Sequence, residues 1–305
     1  MLSLYCKLYA NLIMKKIILT FILFLSFFTS IYAKDQFFQY PQAPENLTSL
    51  SQRANYVVEH FWDRCNLKSA FSSRDKMETA FRDYVTYMQF ASKDTTIMSI
   101  NNLIKEVQKK PKNMLTLAQI AENTLYGDSA LFWSDELYLY FTKAVVNTKK
   151  LSKADKARYE HHTQILTNSM IGSKLPNFEF ETIDGNKIQF DSINAPAIIL
   201  FFNDIDCTDC SLAKVRMATD INLNKLIDRG VIKIVSIYPG KATNEWKNEA
   251  QGYPKNWVIG ACDEIYDMFD LRATPTIYQI DDKHSIIAKN LTVDGILSVV
   301  GGINL

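Results

Sequence analysis

The sequence lacks an excess of either charge. Its 305 residues include 34 lysines and arginines against 33 aspartates and glutamates, which gives a formal net charge of +1. Nucleic-acid-binding domains usually carry a basic patch, and a balance of this kind gives no indication of one. We therefore expect no nucleic acid among the partners of this protein.

Cysteine and histidine are also scarce, with five and four residues respectively. Cys207 and Cys210 form a C-x-x-C pair, but no second pair and no cysteine–histidine pair follows at zinc-ligand spacing. We therefore expect no metal site, and half of a zinc site or a structural disulfide are the alternatives for this pair. Cys65 and Cys262 are expected to be small buried hydrophobic residues, with a Cys65–Cys262 bridge as the alternative.

The apolar run near the N-terminus, Ile17 to Phe28, is shorter than the roughly 20 residues that a membrane-spanning helix needs. It follows Lys15-Lys16 and precedes Ile31-Tyr32-Ala33, an arrangement typical of a secretory signal peptide. We predict a signal peptide over residues 1–33, cleaved near Ala33, and export to the periplasm or cell envelope. Met14 is a second candidate start, and an uncleaved anchor is the alternative to cleavage.

Residues 34–171 are predicted to form an all-α domain. From about Leu47 to Ile171, apolar residues recur at spacings of three and four, as in Met77, Phe81 and Tyr84. Because the aromatic residues fall on these helical stripes, we expect them to fill a core rather than line a binding groove. This half contains no catalytic constellation.

The pattern changes near Gly172. Phe178 to Thr182 alternates with a period of two, Asp184-Gly185 is typical of a hairpin turn, and strands then alternate with helices to the end of the chain. Residues 172–305 are therefore predicted to form an α/β domain. The expected fold class is a two-domain α+β chain, with an all-α domain followed by an α/β domain.

The C-x-x-C pair is predicted to lie where a buried strand ends and a helix begins. The strand is the apolar run Ala197 to Phe202, and helical spacing follows the pair as far as Gly230. A helix N-terminus carries partial positive charge and unpaired N–H groups, which favour a thiolate at Cys207. Cys210, one turn further along, can then resolve a mixed disulfide.

Carboxylates surround the first cysteine in the sequence. Asp204, Asp206 and Asp209 should oppose a thiolate at Cys207, so Asp206 and Asp209 are predicted to modulate its pKa. Asp206 could instead cap the helix, since aspartate is a preferred N-cap.

Pro275 begins a predicted strand, a position that proline tolerates. A cis Thr274–Pro275 bond would leave the polar groups of the backbone free toward a partner chain, and an ordinary trans proline is the alternative.

Three segments together resemble the thioredoxin-like (TlpA-like) thiol-disulfide oxidoreductases of the cell envelope: Gly172 to Phe178, Cys207-Thr-Asp-Cys210, and Ala273-Thr-Pro-Thr276. The resemblance implies that Cys207 is the nucleophile, Cys210 the resolving thiol and Pro275 a cis proline. It also implies that Thr274 offers backbone hydrogen bonds to a substrate strand. Through the segment Trp133 to Tyr138 and the run into Ile171-Gly172, the helical half is similar to a domain of unknown function that precedes such domains in Bacteroidetes envelope proteins.

Two positions depart from the pattern of thioredoxins. Asp206 stands where thioredoxins usually have a tryptophan, and Phe201 stands where many keep a buried acid that accepts the proton of the resolving thiol. Any assistance to that thiol must come from another group or from water.

The expected function is thiol–disulfide exchange, with this protein acting as a reductant. It would need no metal or organic cofactor, because the Cys207–Cys210 pair itself is the redox group. Its partners would be exported thiol or disulfide proteins and an upstream membrane or periplasmic thiol donor. The alternatives are a helical binding module with a redox-inactive thioredoxin-like domain, and a thiol peroxidase, although the cysteine lacks the proline and threonine neighbours of a peroxidatic site.

Overall fold

The computed structural model describes residues 37–128 and 130–303, so the predicted signal peptide lies outside the described residues. The chain divides into two compact units. The first extends to Ala144 and takes in residues 148–150, and the second comprises residues 145–147 and everything from Leu151 onward. Among the helices that the structure describes, none is both long enough and apolar enough to cross a membrane.

The first unit is helical, as the sequence predicts. Ser49 and Ser92 cap two of its helices by accepting hydrogen bonds from backbone N–H groups in their first turns. Phe61, Tyr84 and Phe141 are completely buried, so these aromatic side chains fill the core as expected. The helices are α1 Leu50–His60, α2 Leu67–Ala70, α3 Arg74–Met88, α4 Lys93–Val107, α5 Pro111–Leu125 and α6 Asp135–Asn147, the last of which continues into the second unit.

The second unit is built on one mixed sheet of seven strands, β1 Glu179–Thr182, β2 Lys187–Gln189, β3 Ala197–Phe202, β4 Ile232–Tyr238, β5 Val258–Ala261, β6 Thr276–Asp281 and β7 Ile286–Ala288. Their order in the sheet is β2-β1-β5-β4-β3-β6-β7. The strands predicted at Phe178 to Thr182 and Ala197 to Phe202 are present as β1 and β3, and Pro275 directly precedes β6. β3 is parallel to β4 and antiparallel to β6, and it lies near the middle of the sheet. The helices are α7 Lys153–Asn168, α8 Thr208–Thr219, α9 Ile221–Asp228, α10 Asn244–Ala250, α11 Ile265–Met268 and α12 Val293–Gly301.

Apolar layers cover both faces of the sheet. Because side chains alternate along a strand, Leu200 and Phe202 of β3 pack into one layer, and Ile199 and Phe201 pack into the other. The second layer also contains Cys210, so helix α8 lies on that face.

The helix predicted from the C-x-x-C pair to Gly230 is wrong in one respect, because it is divided at Asp220. The backbone of Asp220 is extended, with ψ at 121°, and its carboxylate accepts a hydrogen bond of 2.8 Å from the N–H of Leu223. This cap ends α8 and begins α9. Gly230, with φ at +72°, follows the end of α9 as predicted.

Helix α7 belongs to the second unit, although the sequence pattern groups it with the helical half. The side-chain amide of Asn168 donates to the carbonyl of Met268 at 2.9 Å. The hydroxyl of Ser169, directly after the helix, accepts a buried hydrogen bond from the N–H of Asp270 at 2.9 Å. These bonds attach the end of α7 to the segment around α11.

Candidate active site

The C-x-x-C pair lies where the sequence predicts, between β3 and α8. The buried strand β3 ends at Phe202, and the connection of five residues that follows ends at Cys207, the N-cap of α8. Cys207 is half-buried, whereas Cys210 is only 2% exposed. Cys207 is therefore the more accessible of the two residues to another molecule.

Cys207 and Cys210 form a disulfide, with their Cα atoms 5.1 Å apart. The backbone N–H of Cys210 points at Cys207 Sγ across 3.0 Å. In a reduced protein the same N–H would donate to a thiolate at Cys207 and stabilise it, as helix N-termini do for anions. Cys207 itself therefore caps the helix, and the alternative in which Asp206 is the cap is wrong.

The Thr274–Pro275 segment lies directly beside the disulfide. Its peptide bond is cis, the geometry that the resemblance implies. Because β6 is antiparallel to β3, the start of β6 meets the end of β3, and the carbonyl oxygen of Thr274 lies 3.5 Å from Cys207 Sγ. Within the described residues, no group accepts a hydrogen bond from the Thr274 N–H. That N–H is available for a strand-like partner.

The acidic residues lie around the loop as the sequence predicts. Asp206 and Asp209 are exposed, and Asp204 is half-buried, where it accepts a hydrogen bond of 2.7 Å from the N–H of Ile205. No ion pair to these three carboxylates is found in the described part of the chain, so their negative charge is uncompensated by a direct partner.

Two tyrosines near this loop were missed by the sequence analysis. Burial raises the pKa of Tyr238, and the carboxylates of Asp204, Glu245 and Asp206 add to the rise. Burial also raises the pKa of Tyr266, with a further contribution from Asp204. Both effects indicate a negative electrostatic potential around the active-site loop, because a nearby negative charge disfavours phenolate.

A polar network lies beneath the active-site loop, and it too was missed. Asn203, 3% exposed, is the first residue after β3; its side-chain amide donates to the hydroxyl of Tyr253. Its side-chain oxygen accepts a hydrogen bond of 2.6 Å from Ser236 of β4. Phe201, by contrast, is fully buried and packs edge-on against Trp257. The position where many thioredoxins keep a buried acid is therefore apolar in this protein. The polar side chain of Asn203 lies two residues further along the chain.

The remaining two cysteines of the described chain are free thiols, so the proposed Cys65–Cys262 bridge is wrong. Cys262 is buried, as expected, whereas Cys65 is only half-buried. Burial raises the pKa of the Cys65 thiol to about 11 and also raises that of Cys262. Both therefore stay protonated and weakly nucleophilic at neutral pH.

The first unit has a groove of its own, of about 510 Å³, whose lining includes Met88, Leu125, Leu131 and Trp133. Leu131 and Trp133 are 70% and 62% exposed. An apolar groove with exposed large side chains favours a binding role for this unit, alongside its buried aromatic core.

A protein-family model matches the helical part of the chain. Residues 20–169 match the family model described as "Domain of unknown function (DUF5106)". No match was found among curated proteins. The match covers the helical part of the chain, and the description of the matching family names no activity.

Solved structures resemble the chain at low sequence identity. The structure of a thioredoxin-like protein from Bacteroides caccae is 22% identical, with a TM-score of 0.72, over 87% of this chain and 98% of that one. The thioredoxin domain of a thiol-disulfide oxidoreductase from Bacteroides vulgatus is 18% identical, with a TM-score of 0.39, over 43% and 96%. A thiol:disulfide interchange protein from Bacteroides sp. is 19% identical, with a TM-score of 0.37, over 44% and 89%. The first comparison confirms the thioredoxin-like fold.

Proposed function

We propose that this protein is a thiol-disulfide oxidoreductase that reduces disulfides in exported proteins. The observation that carries the proposal is the half-buried Cys207 at the N-terminus of α8, with its sulfur linked to Cys210 and 3.5 Å from the Thr274 carbonyl oxygen. Thiol–disulfide exchange with a protein substrate needs three features: a redox-active cysteine pair, a helix terminus that stabilises the thiolate, and a backbone N–H, here that of Thr274, that can bind the substrate chain.

The reaction follows from this arrangement. In the reduced protein, the Cys207 thiolate attacks one sulfur of a substrate disulfide, and the other substrate sulfur leaves as a thiolate that takes a proton from water. Cys210 then loses its proton and attacks Cys207 Sγ, which releases the second substrate thiol and forms the Cys207–Cys210 disulfide. Two electrons pass to the substrate, and an upstream thiol donor must return them.

Thr274 and Pro275 would hold the substrate during both steps. A substrate segment that lies along Thr274 in an extended conformation can accept from its N–H, so that its sulfur meets Cys207. No metal or organic cofactor enters this scheme. Export would place the protein in an oxidising compartment, where protein disulfides persist and a dedicated reductant has substrates.

The test of this function is reduction of insulin by dithiothreitol, followed as turbidity. We expect the full chain to accelerate the reaction, and a Cys207→Ser/Cys210→Ser chain to leave it at the background rate. Consumption of hydrogen peroxide, measured in parallel, should stay at background, because the cysteine lacks a peroxidatic environment. Peroxide consumption without insulin reduction would replace this function with that of a thiol peroxidase.

The runner-up function is a binding module with a redox-inactive thioredoxin-like domain. The exposed Leu131 and Trp133 at the groove of the first unit favour it. A chain that neither accelerates insulin reduction nor consumes peroxide would favour the binding module.

We expect a reduction potential nearer the thioredoxin value of about −270 mV than the strong-oxidant value of about −120 mV. A helix terminus stabilises an exposed thiolate by about 0.3–1 kcal/mol. A carboxylate at roughly 6 Å opposes it by about 1 kcal/mol, and less after salt screening. The exposed Asp206 and Asp209 should therefore cancel the contribution of the helix, so the reduced form gains little stability.

Asp206→Asn should lower the pKa of the Cys207 thiol and raise the potential by roughly 10–20 mV, because 30 mV corresponds to about 1.4 kcal/mol. The measurement is equilibration with glutathione redox buffers. Asp282→Asn is the matched control: Asp282 is exposed and follows the opposite end of β6, so this change should leave the potential unaltered. A wild-type potential above about −180 mV, in the isomerase range, would reject the reductant assignment.

A further inference from the structure

Lys214 lies on the same stripe of helix α8 as the two active-site cysteines. It follows Cys210 by four residues and Cys207 by seven, and such spacings place side chains on one face. Side chains on a helix tilt toward its N-terminus. The side chain of Lys214 therefore covers the turn that contains Cys210. The side chain is only 13% exposed, which is uncommon for lysine.

Two groups hold the ammonium of Lys214 in this place. Its Nζ lies 2.8 Å from the carboxylate of Glu249 and 4.2 Å from the centre of the Tyr253 ring. The hydroxyl of Tyr253 in turn accepts from Asn203, which is fixed by Ser236. The ammonium is therefore tied to the segment that begins the active-site loop, rather than free in solvent.

The resolving thiol needs help that the strand beneath it does not supply. Cys210 is 2% exposed, and burial favours the neutral thiol over the thiolate that must attack. Phe201, fully buried in the same apolar layer, offers no carboxylate to accept the proton. A positive charge on the stripe of Cys210 would favour the thiolate instead.

We propose that Lys214 is a positioning residue that favours the thiolate of Cys210 in the resolving step, in place of the buried carboxylate of related proteins. The proposal rests on the exchange function. In that step the Cys210 proton goes to water, and the bond between Cys207 Sγ and the substrate sulfur breaks as the Cys207–Cys210 bond forms. The substrate sulfur leaves with the electron pair and takes up a proton.

Other charges facing the resolving thiol limit the size of the effect. The carboxylate of Glu249 partly compensates the ammonium, and Asp206 and Asp209 at the start of α8 oppose any thiolate there. Tyr253 is neutral, because burial and the charge of Glu249 raise its pKa to about 12, although its side-chain interactions with Asn203 and Ser236 lower it. We expect a net effect of Lys214 on the thiol pKa of about one unit.

The experiment isolates the resolving step with the aromatic disulfide 5,5′-dithiobis(2-nitrobenzoate). The reduced full chain, with Cys6, Cys65 and Cys262 replaced by alanine, should release coloured thiol in two phases, and the second phase reports attack by Cys210. Lys214→Met should raise the pH midpoint of that phase by about one unit. Its rate at pH 7 should fall about three- to fourfold, because the thiolate fraction falls tenfold while the nucleophilicity of the thiolate rises.

Neutralising each partner of the Lys214–Glu249 ion pair in turn separates an electrostatic role of Lys214 from a structural one. Glu249→Gln breaks the same ion pair, yet it should lower the midpoint, because it removes the opposing charge. Lys214→Arg should keep the wild-type midpoint. Lys247→Met is the matched control, since Lys247 forms a different ion pair, with Glu181 at 3.0 Å, and should cause no shift.

Midpoints that move in the same direction in Lys214→Met and Glu249→Gln, or in neither, would overturn the role of Lys214. Should Lys214→Met not fold, an unchanged midpoint in Lys214→Arg together with a lowered midpoint in Glu249→Gln decides the question. A wild-type chain that shows no second phase contradicts the exchange function itself, so the two failures are distinguishable.

Discussion

Cys210→Ser should accumulate mixed disulfides with substrate proteins, and Cys207→Ser should accumulate none. Cys207 is the half-buried sulfur at the helix terminus, so it is the one that a substrate disulfide reaches first. Without the buried sulfur of Cys210, the covalent complex has no internal route to resolution. Both changes should reduce insulin reduction to the background rate, the largest effect expected of any single substitution in this chain.

Non-reducing gels of cell-envelope extracts measure the trapping, with dithiothreitol treatment to release the partners. Cys262→Ser is the matched control, because Cys262 is a buried free cysteine in the same unit and should trap nothing. Equal trapping by Cys207→Ser and Cys210→Ser would contradict the assignment of nucleophile and resolving thiol.

A chain that begins at Leu151 should be more stable than one that begins at Gly172, by about 1–3 kcal/mol. The shorter chain loses the hydrogen bonds of Asn168 and Ser169 to the backbone around α11, each with a net contribution of about 0.5–1.5 kcal/mol. It would also begin within a paired segment, because the N–H of Gly172 donates to the carbonyl of Ile286 at 2.8 Å. A frayed start would weaken that pairing.

Urea unfolding of the two chains measures the difference, and both should keep exchange activity if they fold. Asn168→Ala and Ser169→Ala, made in the longer chain, should together reproduce much of the loss. Equal unfolding free energies for the two chains would instead favour the boundary near Gly172, which the change in sequence pattern predicts.

Local signals account for most of what the sequence predicts correctly. The apolar run of β3 and Gly230 after α9 each act within a few residues. Because Cys207 follows the predicted strand and precedes the helical spacing, the sequence correctly places it at the start of a helix. The break at Asp220 was missed because the apolar spacing continues through it and only the side-chain cap divides the helix.

The sequence by itself thus determined the division into a helical part and an α/β part, the buried strand β3 and the position of the redox pair between a strand and a helix. Tertiary structure decided which groups surround that pair. Thr274 is 67 residues from Cys207, and Tyr253 is 50 residues from Asn203, yet both pairs are in contact. Hydrophobic periodicity states which face of an element is buried, but not which strands are neighbours in the sheet. Only the order of the strands brings the start of β6 to Cys207, and only the packing around α8 brings Lys214 to Glu249 and Tyr253.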